Sequence, residues 1–158
     1  MKSKIKPYIV SVLIALAVGG LSALLTRNSM DIYNEIITPP LAPPGFLFPI
    51  VWTILFVLMG ISAAMIYTSE NGTEEQRSSA LKIYGASLAV NFLWSIVFFN
   101  LRAFLTAFAV LVLLLFLILK TISAYKKIQP LAAYLQVPYA LWVAFAGCLN
   151  IAIWFLNK

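Results

Sequence analysis

The side chains able to do chemistry are few, and where they stand limits the chemistry open to them. All five acidic residues, Asp31, Glu35, Glu70, Glu74 and Glu75, fall in polar connecting stretches; histidine is absent, and the single cysteine, Cys148, is buried in an apolar run. General acid–base catalysis needs positioned titratable groups, and Cys/His metal sites need several converging ligands, so neither has its residues here. One thiol also excludes a disulfide framework. Proton pumps, ion-coupled carriers and voltage sensors hold ionisable groups at membrane depth, and no long apolar run in this chain carries a charge in its middle.

What remains inside the apolar runs is aromatic and weakly polar: Trp52, Asn91, Trp94, Ser95, Gln136, Tyr139, Trp142 and Asn150. Asn91, Trp94, Ser95 and Phe98 follow the i, i+3, i+4, i+7 spacing of one helix face. Pro138, Trp142, Ala146, Leu149 and Asn150 share a face in the same way. Aromatic walls with a few placed polar groups suit a flat apolar ligand. The competing interpretation is that tryptophans sit at the headgroup level and asparagines bond a neighbouring helix. Trp154, near a helix end, fits that belt. Trp94 and Trp142 lie too deep for it, and for them ordinary packing and a ligand cavity both stay open.

The elements that must position these residues are membrane spans. Of the 158 residues, 63% are hydrophobic and 10% charged, where soluble domains have roughly half and a quarter. A bilayer core of ~30 Å takes about 20 residues per helical crossing, and the apolar runs divide into five. The expected fold class is therefore an all-α membrane protein, a bundle of five transmembrane helices forming one domain over 1–158, with spans near 8–26, 46–67, 80–100, 103–125 and 131–156. The first run follows Lys2, Lys4 and Lys6, as a signal peptide would, but it exceeds the usual signal core and further spans follow. Its Ser11, Ala15, Gly19 and Ala23 form a small-residue stripe expected to pack against protein, and Gly60/Ala64, Gly85/Ala89, Ala103/Ala107 and Ala140/Ala144 read as further close contacts, some of them open to a homodimer seam. Residues 28–44, with prolines at 39, 40, 43 and 44, form the longest loop, and Pro138 predicts a kink with a freed carbonyl near Tyr134.

Charge sets the expected topology. Lys2, Lys4, Lys6, Arg77, Lys82, Lys120, Lys126 and Lys127 gather on one side, against Arg27, Arg102 and Lys158 on the other. The positive-inside bias puts the amino terminus and loops 69–79 and 126–130 in the cytoplasm, and loop 28–44 and the carboxyl terminus outside. The net charge of +6 comes from basic residues standing singly at span ends, with Lys120 snorkelling, so no nucleic-acid partner is expected.

The run Pro39-Pro40-Leu41-Ala42-Pro43-Pro44-Gly45-Phe46, then Pro49-Ile50-Val51-Trp52 and Gly60, resembles the translocator protein family, whose bacterial members are called tryptophan-rich sensory proteins. The resemblance continues through Asn91-Phe92-Leu93-Trp94, Pro130-Leu131-Ala132-Ala133 and Pro138 to Asn150, nearly the whole chain. It implies a multi-pass protein, expected in a bacterial cell membrane, often a homodimer. The implied ligands are protoporphyrin, haem and similar flat hydrophobic molecules, with no obligatory cofactor and no metal site. The implied ligand site joins Tyr33 and Pro43 of the long loop to Trp52, Asn91, Trp94, Ser95, Trp142, Ala146 and Leu149. Receptor or sensor is the first reading, and transport of porphyrins or other amphiphiles the alternative. Trp52 and Trp142 match tryptophans that the family associates with light-dependent porphyrin breakdown, although no ordinary enzyme is expected. Ile32 and Leu41 replace aromatics found in many relatives, and Ile151 stands where the sterol pattern needs tyrosine, so cholesterol binding is not expected. Leu119, Tyr125 and Lys127 meet that loose pattern elsewhere, as chance often allows.

Overall fold

The computed structural model describes residues 2–26 and 47–157, with side chains from Ile5 onward. The expected loop 28–44, with Tyr33, Pro43, Ile32 and Leu41, lies outside the described residues. Five helices long and apolar enough to cross a membrane follow one another: α1 (Lys2–Thr26), α2 (Leu47–Tyr67), α3 (Glu74–Ser95), α4 (Phe104–Lys126) and α5 (Pro130–Asn157). α3 widens at its end into a π-helical turn, Ile96–Asn100. The protein is an all-α membrane bundle.

Each connection has a local cause. α3 starts at Glu74, before the apolar span near 80, because Thr73 and Gln76 close a capping box: Gln76 N–H donates to Thr73 Oγ1 at 3.0 Å and Thr73 N–H to Gln76 Oε1 at 2.9 Å. Glu74 and Glu75 then suit the positive end of the helix dipole. Gly72 turns the chain at φ +70°, a left-handed conformation that favours glycine. Asn71 Nδ2 reaches across to the Ile128 carbonyl at 3.2 Å and Gln129 Oε1 at 3.3 Å, so the α2–α3 and α4–α5 connections share one end of the bundle. At the opposite end Asn100 Nδ2 donates to the Leu25 carbonyl at 3.1 Å, and Arg102 makes the turn into α4 at φ 50°.

Apolar attraction between helices is weak in lipid, so backbone proximity and polar bonds hold the bundle. At the tightest point Ser11 Oγ donates to the Gly60 carbonyl at 2.7 Å, and a Cβ added to Gly60 would stand 2.5 Å from Val12 Cα. Ala15 is fully buried one turn on, and Gly19 lies against the Phe56 ring. Ala23, the fourth member of the stripe, is exposed and lines a cavity instead of packing. Gly85 and Ala89 also lie on an exposed face, and a Cβ at Gly85 would meet nothing within 4 Å, so that pair makes no contact inside the bundle. Cys148 is exposed rather than buried, because it falls on the outward side of α5. α5 runs through Pro138 without a break in the helix. Deep between helices Gln136 Nε2 donates to Ser62 Oγ at 2.7 Å, supplying the partner that hydrocarbon cannot. Leu13, Ile14, Phe116, Leu141 and Phe155 face outward, as lipid contact requires.

Candidate functional site

Above the Ser11–Gly60 contact, toward the end where α1 finishes and α2 begins, the helices enclose a cavity of about 620 Å³. Its described walls come from α1, α2, α3 with its π-helical turn, and α5; α4 contributes none. α4 instead buries Ala107, Leu111, Leu114 and Ile118 behind the wall helices.

Aromatic rings make most of the surface. Trp52 of α2 stands at 6.4 Å from Trp94 of α3, 5.7 Å from Phe56 and 6.2 Å from Tyr139, the last edge to face. Trp94 continues to Phe98 at 5.3 Å, and on the far side Trp142 meets Phe48 at 5.8 Å, edge to face. Centroid separations of 4.5–7 Å in tilted or edge arrangements are the favoured geometries, so the rings brace one another. The π-helical turn brings two successive residues, Phe98 and Phe99, onto the same wall. Such widened turns recur at functional sites.

The polar groups are mostly committed to holding this wall. Asn91 Nδ2 donates to Tyr139 Oη at 2.8 Å, tying α3 to α5. Asn150 accepts from Trp94 Nε1 at 3.1 Å and donates to the Phe104 carbonyl at 2.8 Å, so one side chain fixes the indole and anchors the start of α4. An indole N–H only donates and a carbonyl only accepts, which dictates how the Asn150 amide points. Ser95 Oγ leans on the Asn91 carbonyl at 3.4 Å. By contrast, the buried Trp142 Nε1 and Ser22 Oγ have no hydrogen-bond partner among the described residues.

Every described residue of the expected site lies on this cavity: Trp52, Asn91, Trp94, Ser95, Trp142, Ala146 and Leu149. Tyr33 and Pro43 fall outside the described residues. Trp154 is apart, half-buried beside Phe155 near the end of α5. Sequence reasoning missed the α1 wall, Leu16, Gly19, Ser22 and Thr26, although the glycine in the stripe was a usable signal. Among the described residues no group of His, Cys, Asp or Glu could hold a metal ion, and the lining has no histidine, cysteine, methionine or tyrosine.

Fold and site together define a helical membrane protein with an aromatic cavity between its spans. Residues 11–155 match the TspO/MBR family, and the chain belongs to that family. It is 36% identical over 127 residues to protein CrtK of Rhodobacter capsulatus, covering 79% of this chain and 78% of that one. With the tryptophan-rich protein TspO of Chlorobaculum tepidum it shares 33% identity over 145 residues, 91% of each. It is 33% identical over 141 residues to the translocator protein of Bos taurus, across 89% of this chain and 83% of the relative.

Proposed function

We propose that the protein is a membrane receptor that takes a tetrapyrrole, or a similarly flat hydrophobic molecule, into the cavity between α1, α2, α3 and α5. The observation that carries this reading is the convergence of Trp52, Trp94 and Trp142, from three different helices, on one space of about 620 Å³. That volume falls within the ~300–1,000 Å³ range of small-molecule pockets, and indole faces stack well on a conjugated macrocycle. A thermal-shift screen of the purified protein with protoporphyrin IX, haem and a sterol tests it. At a ligand concentration about a hundred times the dissociation constant, binding adds ~2.7 kcal/mol, an increase in midpoint of roughly 5–10 °C. Stabilisation by protoporphyrin IX and none by the sterol is expected. No shift with any tetrapyrrole would remove the reading.

Light-dependent breakdown of bound porphyrin is a second reading, favoured by Trp52 and Trp142 both lining the cavity, since indoles are readily oxidised. Illuminated samples should then lose porphyrin absorbance faster with the parent protein than with Trp52→Phe/Trp142→Phe. Equal loss without protein rejects it. Transport would show as protein-dependent flux of porphyrin from loaded vesicles. Homodimerisation rests on the resemblance and on the exposed Gly85 and Ala89 of α3, and light scattering of the detergent-solubilised protein decides it.

A further inference from the structure

Among the described residues that line the cavity, four are exposed, and all four belong to two helices: Gly20 and Ala23 of α1, Pro49 and Thr53 of α2. The lining residues of α3 and α5 are buried or half-buried. Lower down, α1 and α2 are shut against each other by the Ser11–Gly60 bond, by Val12 on Gly60 and by Phe56 on Gly19. Ser11, Ala15, Gly19 and Ala23 form one i, i+4 ridge, and this ridge stays in contact through Gly19 and parts at Ala23. Beside the parting, a Cβ built on Gly20 meets nothing within 4 Å. Gly20 and Thr53 each stand six residues inside their helix ends, about 9 Å at the helical rise, which is hydrocarbon depth. Thr53 Oγ1 donates to the Pro49 carbonyl at 2.7 Å, so its hydroxyl is spent on its own helix and places no unsatisfied group in lipid.

We propose that the gap between α1 and α2 flanked by Gly20, Ala23, Pro49 and Thr53 is a lateral portal, through which a ligand dissolved in the bilayer enters the cavity. The proposal rests on reading the cavity as a ligand site and adds the route and the phase from which the ligand comes. A ligand arriving this way is a membrane-partitioned hydrophobe, and its occupancy follows its concentration in lipid, not in water.

Stopped-flow quenching of tryptophan emission by protoporphyrin IX, on protein in phosphatidylcholine vesicles, reads the gate directly. Gly20→Leu puts a side chain where a Cβ meets nothing within 4 Å, and Thr53→Phe narrows the gap from the other side. In both, association and dissociation rates should fall together, by about tenfold or more, as expected when a shared path is narrowed. Unchanged rates, or weaker binding through faster dissociation alone, would overturn the portal. Vesicles made with acyl-chain-brominated phosphatidylcholine give a readout that needs no porphyrin. Bromines that reach the cavity quench Trp52 and Trp142 in the ligand-free parent, and should quench them less in Gly20→Leu. Equal quenching in the two proteins overturns the portal. If the parent fails to bind protoporphyrin IX, the ligand reading falls while the brominated lipid still decides for or against the portal.

Discussion

Asn150 shows how much one polar side chain does in a bundle with few of them. It pairs Trp94 Nε1 and the Phe104 carbonyl at once, so Asn150→Leu strands a buried indole N–H and frees the start of α4. A loss of about 1–2 kcal/mol is expected in detergent-induced unfolding of mixed micelles, near the upper end for single polar contacts between membrane helices. Trp142 is the opposite case. Among the described residues its buried Nε1 has no partner, so Trp142→Phe removes an unmet donor and should leave the unfolding midpoint unchanged or raised. Any loss of ligand affinity in that variant is then a binding effect and not a folding defect. The depth and spacing of Asn91, Trp94, Trp142 and Asn150 were legible in the sequence, because helical periodicity alone puts them on shared faces. Their partners were not: that Asn91 is committed to Tyr139 and Asn150 to Trp94 depends on how α3 and α5 rotate against each other, which local spacing does not encode.

Between elements, small residues set the distances, and the sequence marks them without saying which of them touch anything. Gly60/Ala64 and Gly85/Ala89 look alike as patterns, yet a Cβ at Gly60 collides with the Val12 backbone whereas one at Gly85 meets open space. Gly60→Val should therefore drive α1 from α2 and cost about 1–3 kcal/mol, the usual range for overpacking. In the monomer, Gly85→Ala should be neutral or stabilise by up to about 1 kcal/mol, since glycine is the poorer helix former. Thermal unfolding of both variants in the same detergent checks the contrast, and similar losses in the two would contradict it. The π-helical turn Ile96–Asn100 was equally hidden, since a run of apolar residues reads as continuous α-helix whatever its local pitch. The capping box at Thr73 starts α3 inside the stretch 69–79 that reads as a connecting loop in the sequence, because its polar residues mask a helical first turn.

At the scale of the whole molecule, composition carried the most weight. A mean hydropathy of +0.97 with five apolar runs leaves little choice but a five-crossing helical bundle. The ties from Asn71 to Ile128 and from Asn100 to Leu25 then assign the connections to opposite ends. The orientation expected from the lysines and arginines is open to test: with Cys148→Ser as background, Asn71→Cys should react with a membrane-impermeant maleimide only from the cytoplasmic side, and Arg102→Cys only from the outside. Reversed labelling would invert the topology. The cavity itself was only half legible, for the aromatic face of α3 and the wall of α5 could be read off, while the α1 wall needed the fold. The most direct test of the account is equilibrium quenching of tryptophan emission by protoporphyrin IX in the parent and in Trp52→Phe/Trp142→Phe. The account predicts saturable binding in the parent, weakened by about tenfold or more in the double variant through lost stacking of 1–3 kcal/mol per ring. Equal affinity in both proteins would contradict it.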